Sequence, residues 1–596
     1  MYCVDKDINY SVSYLPIPKH SPATEFFSRD LFLKPMKNLD YTEMIMDSAF
    51  WPHNPQLLKE MTSVTMISWS PEGVTRNNEH VLAVLTNIGN IELFGPHISY
   101  YESLFNLSKA IKVYVSKGME TPKTIEALKT AVKAIQTISF CWGPKLFNSS
   151  FYFVTAQRNG NILIWLIHFK QEVKAELRGV IETDEEIHTV MWLHKCDDSF
   201  LLICSNVSGQ INVYDCQNAE NLLVTNTACL WTYKDRMVAK HIVHTVIDNK
   251  IALVFSKHRH LIILLLDKNY NILSQVARNV NDKRITNIRK GKHCVYLSTV
   301  NSQIFKITFS IMSTDLNINV HAIELNQYRN CELYSFDKSI NEAWWVLGFF
   351  NRQVSHRKDI DKLDIIFFHN TEQNDIELLL NNPTNKLTNV WDHLQILRCK
   401  VIKQRIMPEV NFVELYKSGN VNVYKHKLYL LLLTLYLNLK KFSRNIIKGS
   451  LPETSIEVIK EEILLAHAKN VINEYYNSYQ HSNCTLDPLK LKWFVGAKNF
   501  IEYYCTKNRK YVSDLVDTNI WNLTKVEMRY KCQCCDEFIQ GLWCSHRHLN
   551  MFCMITFTPI ESNDYLYCSN CNSTARIELY ENNPMCVFCD LYLVKN

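Results

Sequence analysis

Hydrophobic and polar positions alternate through most of the first two-thirds of the chain, which predicts short β-strands joined by tight turns. Three segments share one layout: "VTMISWSPEG" leads to "VLAVLTNIGNIELF", "IQTISFCWGP" leads to "FYFVTAQRNGNILIW", and "IHTVMWLHK" leads to "FLLICSNVSGQINVY". In each segment a tryptophan ends the first strand, an apolar strand follows, and a turn glycine precedes the third. The alternation therefore belongs to a repeating unit of several strands.

Two kinds of marker residue give the length of this unit. They are Trp69, Trp142 and Trp192, and Gly89, Gly160 and Gly209. The tryptophans are 73 and 50 residues apart and the glycines 71 and 49, so both markers advance together. A unit of about 50 residues with three or four strands is typical of a β-propeller blade. We predict a mainly β fold: a degenerate, WD-repeat-like propeller of six or seven blades over residues 1–425. An array of fused β-sandwiches is the structural alternative.

The longer first interval requires an insertion, and "METPKTIEALKTAVKAIQ" has the composition of a helix. We predict a helical insertion near residues 106–136, with Thr121 as N-cap and Pro122 at the first helical position. The N-terminal strands "INYSVSYL" and "DLFL" are expected to close the ring, and "EVNFVELYKSGNVNVY" (409–424) to supply its last strands. Closure of the ring hides the edge strands of every blade.

After residue 425 the hydrophobic period changes to that of helices. Thr454 precedes Glu457 at the spacing of a capping box, and Asp487 with Pro488 has the pattern of a second helix start. We predict a short helical bridge over 426–528, followed by a separate domain at 529–596.

Cysteine is concentrated in that last segment, which holds nine of the chain's 20 cysteines in its final 65 residues. Four pairs have the spacing of metal ligands: Cys532 with Cys535, Cys544 with His548, Cys568 with Cys571, and Cys586 with Cys589. Eight ligands fill two closed tetrahedral zinc sites, and closed sites hold structural metal. We therefore expect two structural zinc ions in place of a hydrophobic core.

The pairing of the ligands stays open at this point. A RING-like cross-brace puts Cys532, Cys535, Cys568 and Cys571 on one ion and the remaining four ligands on the other, whereas sequential pairing joins neighbouring pairs. Cys553 is an alternative to His548, and His546 is a weaker one.

Charge narrows the range of functions. The 65 basic and 59 acidic side chains give a net charge of +6, too even for a protein that coats nucleic acid, so a polyanion-binding surface must be local. Lys440, Lys441 and Arg444 are one candidate for contact with nucleic acid or a partner, and a solvated helix face is the alternative. The N-terminus lacks a secretory pattern, and the apolar run 428–439 is too short to span a membrane, so we expect a soluble intracellular protein.

The combination resembles one family: the 90 kDa subunit (tau60) family of RNA polymerase III transcription factor IIIC. The resemblance lies in "TMISWSPEG" with "VLAVLTNIGNIELF", in "YYESLFNLSK", "TISFCWGP" and "LIWLIHF", and in "CSHRHLNMFCMITF". Arg547 stands where that family usually has glycine, and "CVFC" lacks a common proline.

The resemblance implies a nuclear scaffold subunit without a catalytic site of its own. It implies partners among the other subunits of the factor, especially a second propeller subunit, together with components of factor IIIB and promoter DNA of transfer-RNA and 5S genes. No membrane is implied. A histone acetyltransferase activity, ascribed to animal members, is a further implication. The chain's 14 glycines form no loop of the kind that holds a coenzyme A pyrophosphate, and we assign no catalytic or cofactor-binding residue.

Other classes of protein remain as alternatives. A propeller protein ending in a RING ubiquitin ligase, or a scaffold of a vacuolar or nutrient-signalling complex, shares the cross-brace pattern. A stand-alone nucleic-acid-binding zinc protein would need exposed aromatic and arginine side chains within the cysteine cluster, where the arginines are Arg547 and Arg576.

Overall fold

The computed structural model describes most of the chain. The described residues are 2–5, 15–18, 21–26, 37–46, 62–71, 73–74, 80–97, 100–118, 121–146, 150–169, 172–196, 199–217, 222–248, 250–312, 315–323, 331–351, 363–370, 375–407, 422–442, 455–481, 488–523, 530–532, 534–540, 543–546, 548, 550–560 and 562–596. Clustering of contacts divides them into two compact units. One comprises Val4–Lys338 with Trp345–Phe368, and the other comprises Met1–Cys3, Ser339–Trp344 and His369–Asn596.

Six four-stranded sheets follow one another in the part of the chain that the structure describes. Strand β1 (Tyr2–Asp5) belongs to the last of them. The first three sheets are β2 (Val64–Trp69), β3 (Leu82–Thr86), β4 (Ile91–His97) and β5 (Tyr100–Asn106); β6 (Thr137–Leu146), β7 (Ser150–Gln157), β8 (Ile162–Phe169) and β9 (Val173–Ile181); and β10 (Ile187–Cys196), β11 (Ser199–Asn206), β12 (Ile211–Gln217) and β13 (Leu223–Trp231).

The other three sheets repeat the arrangement. They are β14 (Lys240–Ile247), β15 (Lys250–Lys257), β16 (His260–Leu266) and β17 (Ile272–Asn279); β18 (Ile285–Lys290), β19 (Cys294–Thr299), β20 (Ile304–Met312) and β21 (Asp315–Ile323); and β22 (Cys331–Lys338), β23 (Trp344–Asn351) and β24 (Leu363–Asn370) with β1. The first strands of successive sheets lie next to each other, from β6 through β10, β14 and β18 to β22. This is the arrangement of propeller blades, and the prediction of a propeller is confirmed with six sheets described.

Packing between sheets explains why the second strand of a blade is almost continuously apolar. Every residue of β3, β7 and β11 is buried, because each strand is covered on both faces by neighbouring structure. Shared cores such as the one containing Leu93, Phe140 and Phe153 join adjacent sheets. Burial on both faces replaces the alternation expected of a sheet with one wet face.

The marker glycines have a direct structural reason. Gly89, Gly160 and Gly209 all adopt positive φ, between 82° and 97°, in the turn between the second and third strands. A Cβ atom added to Gly160 would lie 2.5 Å from the carbonyl oxygen of Thr183, and one added to Gly209 would lie 2.0 Å from Asp235 Oδ1. The connection to the next sheet therefore crosses directly over each turn, which excludes any side chain there.

Among the described residues, three helices accompany the sheets: α1 (Asn38–Met46), α2 (Leu107–Lys117) and α3 (Ile125–Ile135), with a 3₁₀ turn at Thr24–Phe26. Helices α2 and α3 form the insertion expected near 106–136. The predicted cap is wrong: Thr124, not Thr121, accepts the N–H of Ala127 and begins α3. Lys129 of α3 contacts Asp40 of α1 at 2.7 Å.

The strand that completes the last sheet is β1, from the very start of the chain. The segments expected to close the ring, 8–14 and 30–33, lie outside the described residues, as do 408–421 of the expected last strands. A strand from the N-terminal part of the chain within the last blade is the kind of pairing by which a propeller ring is expected to close.

Helices begin earlier than the expected boundary at 425. They are α4 (Asp375–Leu380), α5 (Trp391–Gln404), α6 (Val423–Phe442), α7 (Ile456–His481), α8 (Pro488–Asn508) and α9 (Thr518–Trp521), with 3₁₀ turns at Leu387–Val390, Val512–Asp514 and Ile577–Asn582. Ser455 rather than Thr454 caps α7, since its Oγ accepts the N–H of Glu457. No helix among the described residues is long and apolar enough to cross a lipid bilayer.

The strands described in the last 60 residues are short: β25 (Ile539–Gln540), β26 (Trp543–Cys544), β27 (Tyr565–Tyr567), β28 (Thr574–Arg576) and β29 (Val594–Lys595). They share one hydrophobic core with the helices, in which Ile463 and Phe500 join Leu566 and Leu593. Residues 369–596 belong to one compact unit, and the boundary between a bridge and a C-terminal domain at 528/529 stays a prediction.

Candidate metal centres

The first metal-ligand group is formed by neighbouring pairs in the sequence. Cys532, Cys535, Cys544 and His548 offer ligand atoms that all lie within 4.8 Å of one another. Cys535 Sγ is 3.6 Å from Cys544 Sγ, and His548 Nδ1 is 3.5 Å from Cys544 Sγ. Sulfur atoms bound to one tetrahedral zinc at ~2.3 Å lie about 3.8 Å apart, so these separations fit a zinc ion.

The second group consists of four cysteines. Cys568, Cys571, Cys586 and Cys589 also lie within 4.8 Å of one another, and the Sγ atoms of Cys571 and Cys586 are 3.4 Å apart. This separation is far longer than the ~2.05 Å of a disulfide bond. Asn570 Nδ2 donates to Cys589 Sγ at 3.2 Å, and Ser573 Oγ lies 3.1 Å from Cys586 Sγ. Hydrogen bonds of this kind orient thiolate ligands.

In both groups the pKa values of the thiols are shifted in a way that favours binding of a cation. Burial opposes ionisation of Cys532, but the N–H of Cys534 and contacts with Asn550 and His548 outweigh it and lower the pKa of Cys532 to about 6. In the second group the thiols around Cys571 hold its pKa well below the usual range, while the same neighbours raise the pKa of Cys589. Four adjacent thiols cannot all ionise unaided, whereas a divalent cation stabilises all four thiolates.

Three of the ligand pairs sit in turns of identical backbone geometry. The first cysteine donates its N–H to the carbonyl five residues later, and it accepts the N–H of the residue four later, which has positive φ. These bonds are 2.8 and 3.0 Å at Cys532, 2.9 and 2.8 Å at Cys568, and 2.7 and 3.0 Å at Cys586. The positive-φ residues are Asp536, Asn572 and Asp590, types that tolerate the left-handed region. We call a turn with this backbone geometry a knuckle, and each of these three knuckles brings two thiols together.

A fourth knuckle exists that sequence spacing does not reveal. Cys553 donates its N–H to Thr558 O and accepts the N–H of Phe557, both at 2.9 Å, and Phe557 has a φ of 56°. Thr556 occupies the place of the second cysteine and is fully buried, with its hydroxyl 2.7 Å from Thr558 Oγ1. Cys553 is therefore in a knuckle of its own and not beside His548.

The fourth knuckle is packed against helices α7 and α8. His467 Nε2 of α7 lies 2.9 Å from the carbonyl oxygen of Ile555, and burial lowers the pKa of His467, so the neutral ring donates this bond. The ring of Phe557 packs on those of His467 and Phe500. A Cβ added to Gly496 of α8 would lie 2.7 Å from Phe557 O, so the helix backbone touches the knuckle directly.

Ligand pairing is sequential. Cys532 and Cys535 join Cys544 and His548, and Cys568 and Cys571 join Cys586 and Cys589, so the RING-like cross-brace is not the arrangement of this protein. His546, the weaker alternative, stacks beside His548 and is outside the group.

The candidate basic surface is only partly described. Lys440 and Lys441 are exposed in the last turn of α6, while Arg444 lies outside the described residues.

Comparison with known proteins identifies a family. The sequence model of the transcription factor IIIC subunit delta beta-propeller domain matches residues 36–345, which covers the first five sheets. No curated protein matches the chain.

Solved propellers are similar only in general architecture. The Myceliophteria thermophila Cps50 (Swd1) β-propeller domain is 10% identical, over 51% of this chain and 88% of that chain, with a TM-score of 0.31. The Vanderwaltozyma polyspora Nup133 β-propeller domain is 10% identical, over 44% and 72%, with a TM-score of 0.27. The Toxoplasma gondii coronin WD40 domain is 12% identical, over 52% and 70%, with a TM-score of 0.30. These values carry no functional argument. The family match spans more than half of the chain, and on that evidence the protein belongs to the family of transcription factor IIIC delta subunits.

Proposed function

We propose that this protein is a non-catalytic scaffold subunit of transcription factor IIIC that acts in the nucleus. It helps the assembled factor to recognise promoters of transfer-RNA and 5S genes and to recruit factor IIIB. The observation that carries this proposal is the family match over residues 36–345. Its partners are the other subunits of the factor, especially a second propeller subunit, together with factor IIIB components.

Two zinc ions are proposed as structural elements of the C-terminal unit. One is held by Cys532, Cys535, Cys544 and His548, and the other by Cys568, Cys571, Cys586 and Cys589. Four protein ligands at each ion leave no position for a reacting water, so the metal supplies folding free energy. The chain's own contribution is the knuckle backbone, which presents the thiols at the required separation.

Sequential pairing also bears on the ubiquitin-ligase alternative. That alternative was attractive because a RING domain binds its two ions through a cross-brace. The two groups formed by neighbouring pairs remove this point of similarity. The scaffold function is therefore the one that the geometry supports best.

Association with the complex tests the proposed function. A tagged full-length chain expressed in its own cells should co-purify with the other transcription factor IIIC subunits and with nuclear chromatin at transfer-RNA genes. Purification without any of those subunits would contradict the proposal. Autoubiquitination by the purified chain with a panel of conjugating enzymes would favour the ligase instead.

Promoter contact through the end of α6 is a finer part of the proposal. The variant K440Q/K441Q should weaken binding of the assembled factor to promoter DNA and reduce its salt dependence, because each lysine lost from the phosphate backbone removes about one released counterion. The matched control is K490Q/K492Q, which removes the same charge at the exposed start of α8. If wild type and both variants bind promoter DNA with equal affinity and equal salt dependence, Lys440 and Lys441 face solvent and do not contact DNA.

A further inference from the structure

Several basic residues lie at one edge of the fourth propeller sheet, where edge means the side formed by the ends of its strands and not an outer strand. Strand pairing places Lys240 opposite Ser256, Lys257 opposite His260, and His260 opposite Asn279, so all of these lie at the same edge. Three chain segments leave the sheet at this edge: residues 232–239, the turn at 258–259, and residues 280–284. The last of these leads into the fifth sheet.

Backbone hydrogen bonds tie these segments to the sheets on either side. Arg236 donates its N–H to Ser208 O of the third sheet at 2.8 Å, and Ile285 of the fifth sheet donates to His258 O at 2.9 Å. Val300, in the turn between the second and third strands of the fifth sheet, donates to Arg284 O at 3.1 Å. The segments thus form one continuous border across three blades. We name it the basic rim after its residues: Arg236, His258, Arg259, Lys283 and Arg284.

Positive charge on the basic rim is exposed and little compensated. All five of its residues are exposed. Asp235 is bound by the buried Lys257 at 2.8 Å, whereas Asp282 accepts a hydrogen bond from the neutral Asn279 and keeps its negative charge beside the rim cations. Lys234 is not counted in the rim, because it lies 3.5 Å from Glu185.

The opposite edge of the same sheet has a different charge balance. Its two connecting turns carry Asp248 and Asp267 together with Lys250 and Lys268, so the charges cancel there. Asp267 is also held in its own turn by the N–H groups of Asn269 and Asn271, each at 2.8 Å. The charge of the rim is therefore a property of one edge, and not of the whole blade.

We propose that the basic rim binds the phosphate backbone of duplex DNA without reading its bases. Guanidinium and ammonium groups are the side chains that neutralise phosphates, and here they lie in one turn of the fourth sheet and in the connections on either side of it, which suits contact with several anions. Hydrogen-bonded segments on a packed sheet hold the four cationic side chains on one border. The inference rests on the proposed function, for which it names a DNA-contacting surface that the α6 lysines do not include.

The test measures binding of a 30-base-pair fluorescent duplex without promoter sequence by the purified full-length chain at several salt concentrations. The rim variant is R236Q/R259Q/K283Q/R284Q. It should bind about tenfold or more weakly near 0.1 M salt, with the slope of log K against log salt reduced by about 3.6, since each of the four phosphate contacts contributes about 0.9. The matched control, K250Q/K268Q/K290Q/K292Q, removes four charges from the opposite edges of the fourth and fifth sheets and should bind like the wild type.

Three outcomes would overturn the inference. They are absence of duplex binding by the wild-type chain, equal binding by wild type and rim variant, and an equal loss in the control. Co-purification of the rim variant with the other subunits separates failure of this inference from failure of the proposed function.

Discussion

Lys257 shows at the residue scale how one blade is locked to the next. Its side chain is 1% exposed, its Nζ lies 2.8 Å from Asp235 Oδ2 and 2.5 Å from Gly209 O, and it lies over the ring of Trp231. Trp231 Nε1 donates to the same carboxylate at 3.1 Å. A buried ammonium is tolerated only because these acceptors surround it, and burial still lowers the pKa of Lys257.

Replacing Lys257 with methionine should lower the free energy of unfolding of the propeller by about 3 kcal/mol, because Asp235 would keep its charge in a partly buried place without the ammonium group that compensates it. The control is K250M at the other end of β15, where we expect less than ~0.5 kcal/mol. Urea unfolding followed by tryptophan fluorescence measures both. A K257M protein as stable as wild type would show that the ion pair of Lys257 and Asp235 does not contribute to stability.

His244 of β14 should make the propeller sensitive to acid. Burial, aided by Lys290, lowers the pKa of His244 to about 4, whereas the unfolded chain protonates near 6.5. The unfolded state therefore binds more protons between these values, and stability falls as pH falls from about 6.5 to 4. We expect wild type to lose about 1–2 kcal/mol from this residue between pH 7 and 5, and the H244Q protein to lose correspondingly less. Denaturation at both pH values decides this, with H293Q, at an exposed site, as control.

The four knuckles show at the element scale what sequence spacing contains and what it lacks. The C-x₂-C and C-x₃-H spacings predict the eight residues that the structure brings together, because spacing fixes which two ligands share a turn. Pairing between turns depends on the path of the chain, which spacing does not record. The knuckle at 553–558 is hidden for another reason: Thr556 replaces the second cysteine, so only its backbone bonds identify it.

Sequential pairing predicts the metal content of double variants. C532S/C544S removes two ligands from one group, so the protein should keep about one zinc per chain, while C532S/C568S damages both groups and should keep almost none. A cross-brace predicts the reverse. Atomic absorption on the purified full-length proteins measures the content, and circular dichroism shows whether the propeller persists.

Gly496 should be intolerant of substitution because the fourth knuckle occupies the space beside it. In G496A the new Cβ would meet the backbone carbonyls of Thr556 and Phe557 at 2.8 and 2.7 Å, so helix and knuckle must separate. We expect a loss of about 1–3 kcal/mol in the C-terminal unit, as is usual for overpacking. G118A, where nothing lies within 4 Å of the added Cβ, is the control. Thermal unfolding of both proteins, compared with wild type, is the measurement.

Helix boundaries show a similar limit of prediction. The insertion near 106–136 was readable from its composition, yet Thr124 and Ser455 are the caps where Thr121 and Thr454 were expected. Several polar residues precede each of these helices, and tertiary packing chooses among them. The helical content of 375–404 was missed because its apolar residues follow directly on the last strands.

At the scale of the whole molecule, the propeller and the C-terminal unit have separate cores. The core of residues 369–596 packs the helices and the cysteine-containing turns together, so this unit has apolar packing where the cysteine density led us to expect zinc in place of a hydrophobic core. The shared core thereby connects the two candidate metal groups to the helices. Its sequence repeats made the propeller predictable. The core shared by the helices and the cysteine-rich segment depends on contacts between residues far apart in sequence, which a local pattern does not record.

We therefore expect removal of zinc to destabilise the helices of this unit as well as the cysteine-containing turns. With a strong chelator, amide hydrogen exchange should accelerate in 530–596 and also in α7 and α8, because Phe500 and His467 lose the Phe557 contact. The sheets from β6 to β17 should keep their protection. Protected helices beside exchanging knuckles would show that the two parts of the shared core are energetically independent.

The pairing of the first strand with the last blade has a consequence for biosynthesis. β1 ends at Asp5 and its neighbour β24 begins at Leu363, so about 360 residues must be synthesised before these two strands can meet. Until then the nascent chain carries an unpaired strand at each end of a growing stack of sheets, the kind of edge that recruits other strands. Ribosome-associated chaperones would be needed most by this subunit late in its translation, just before the circle shuts.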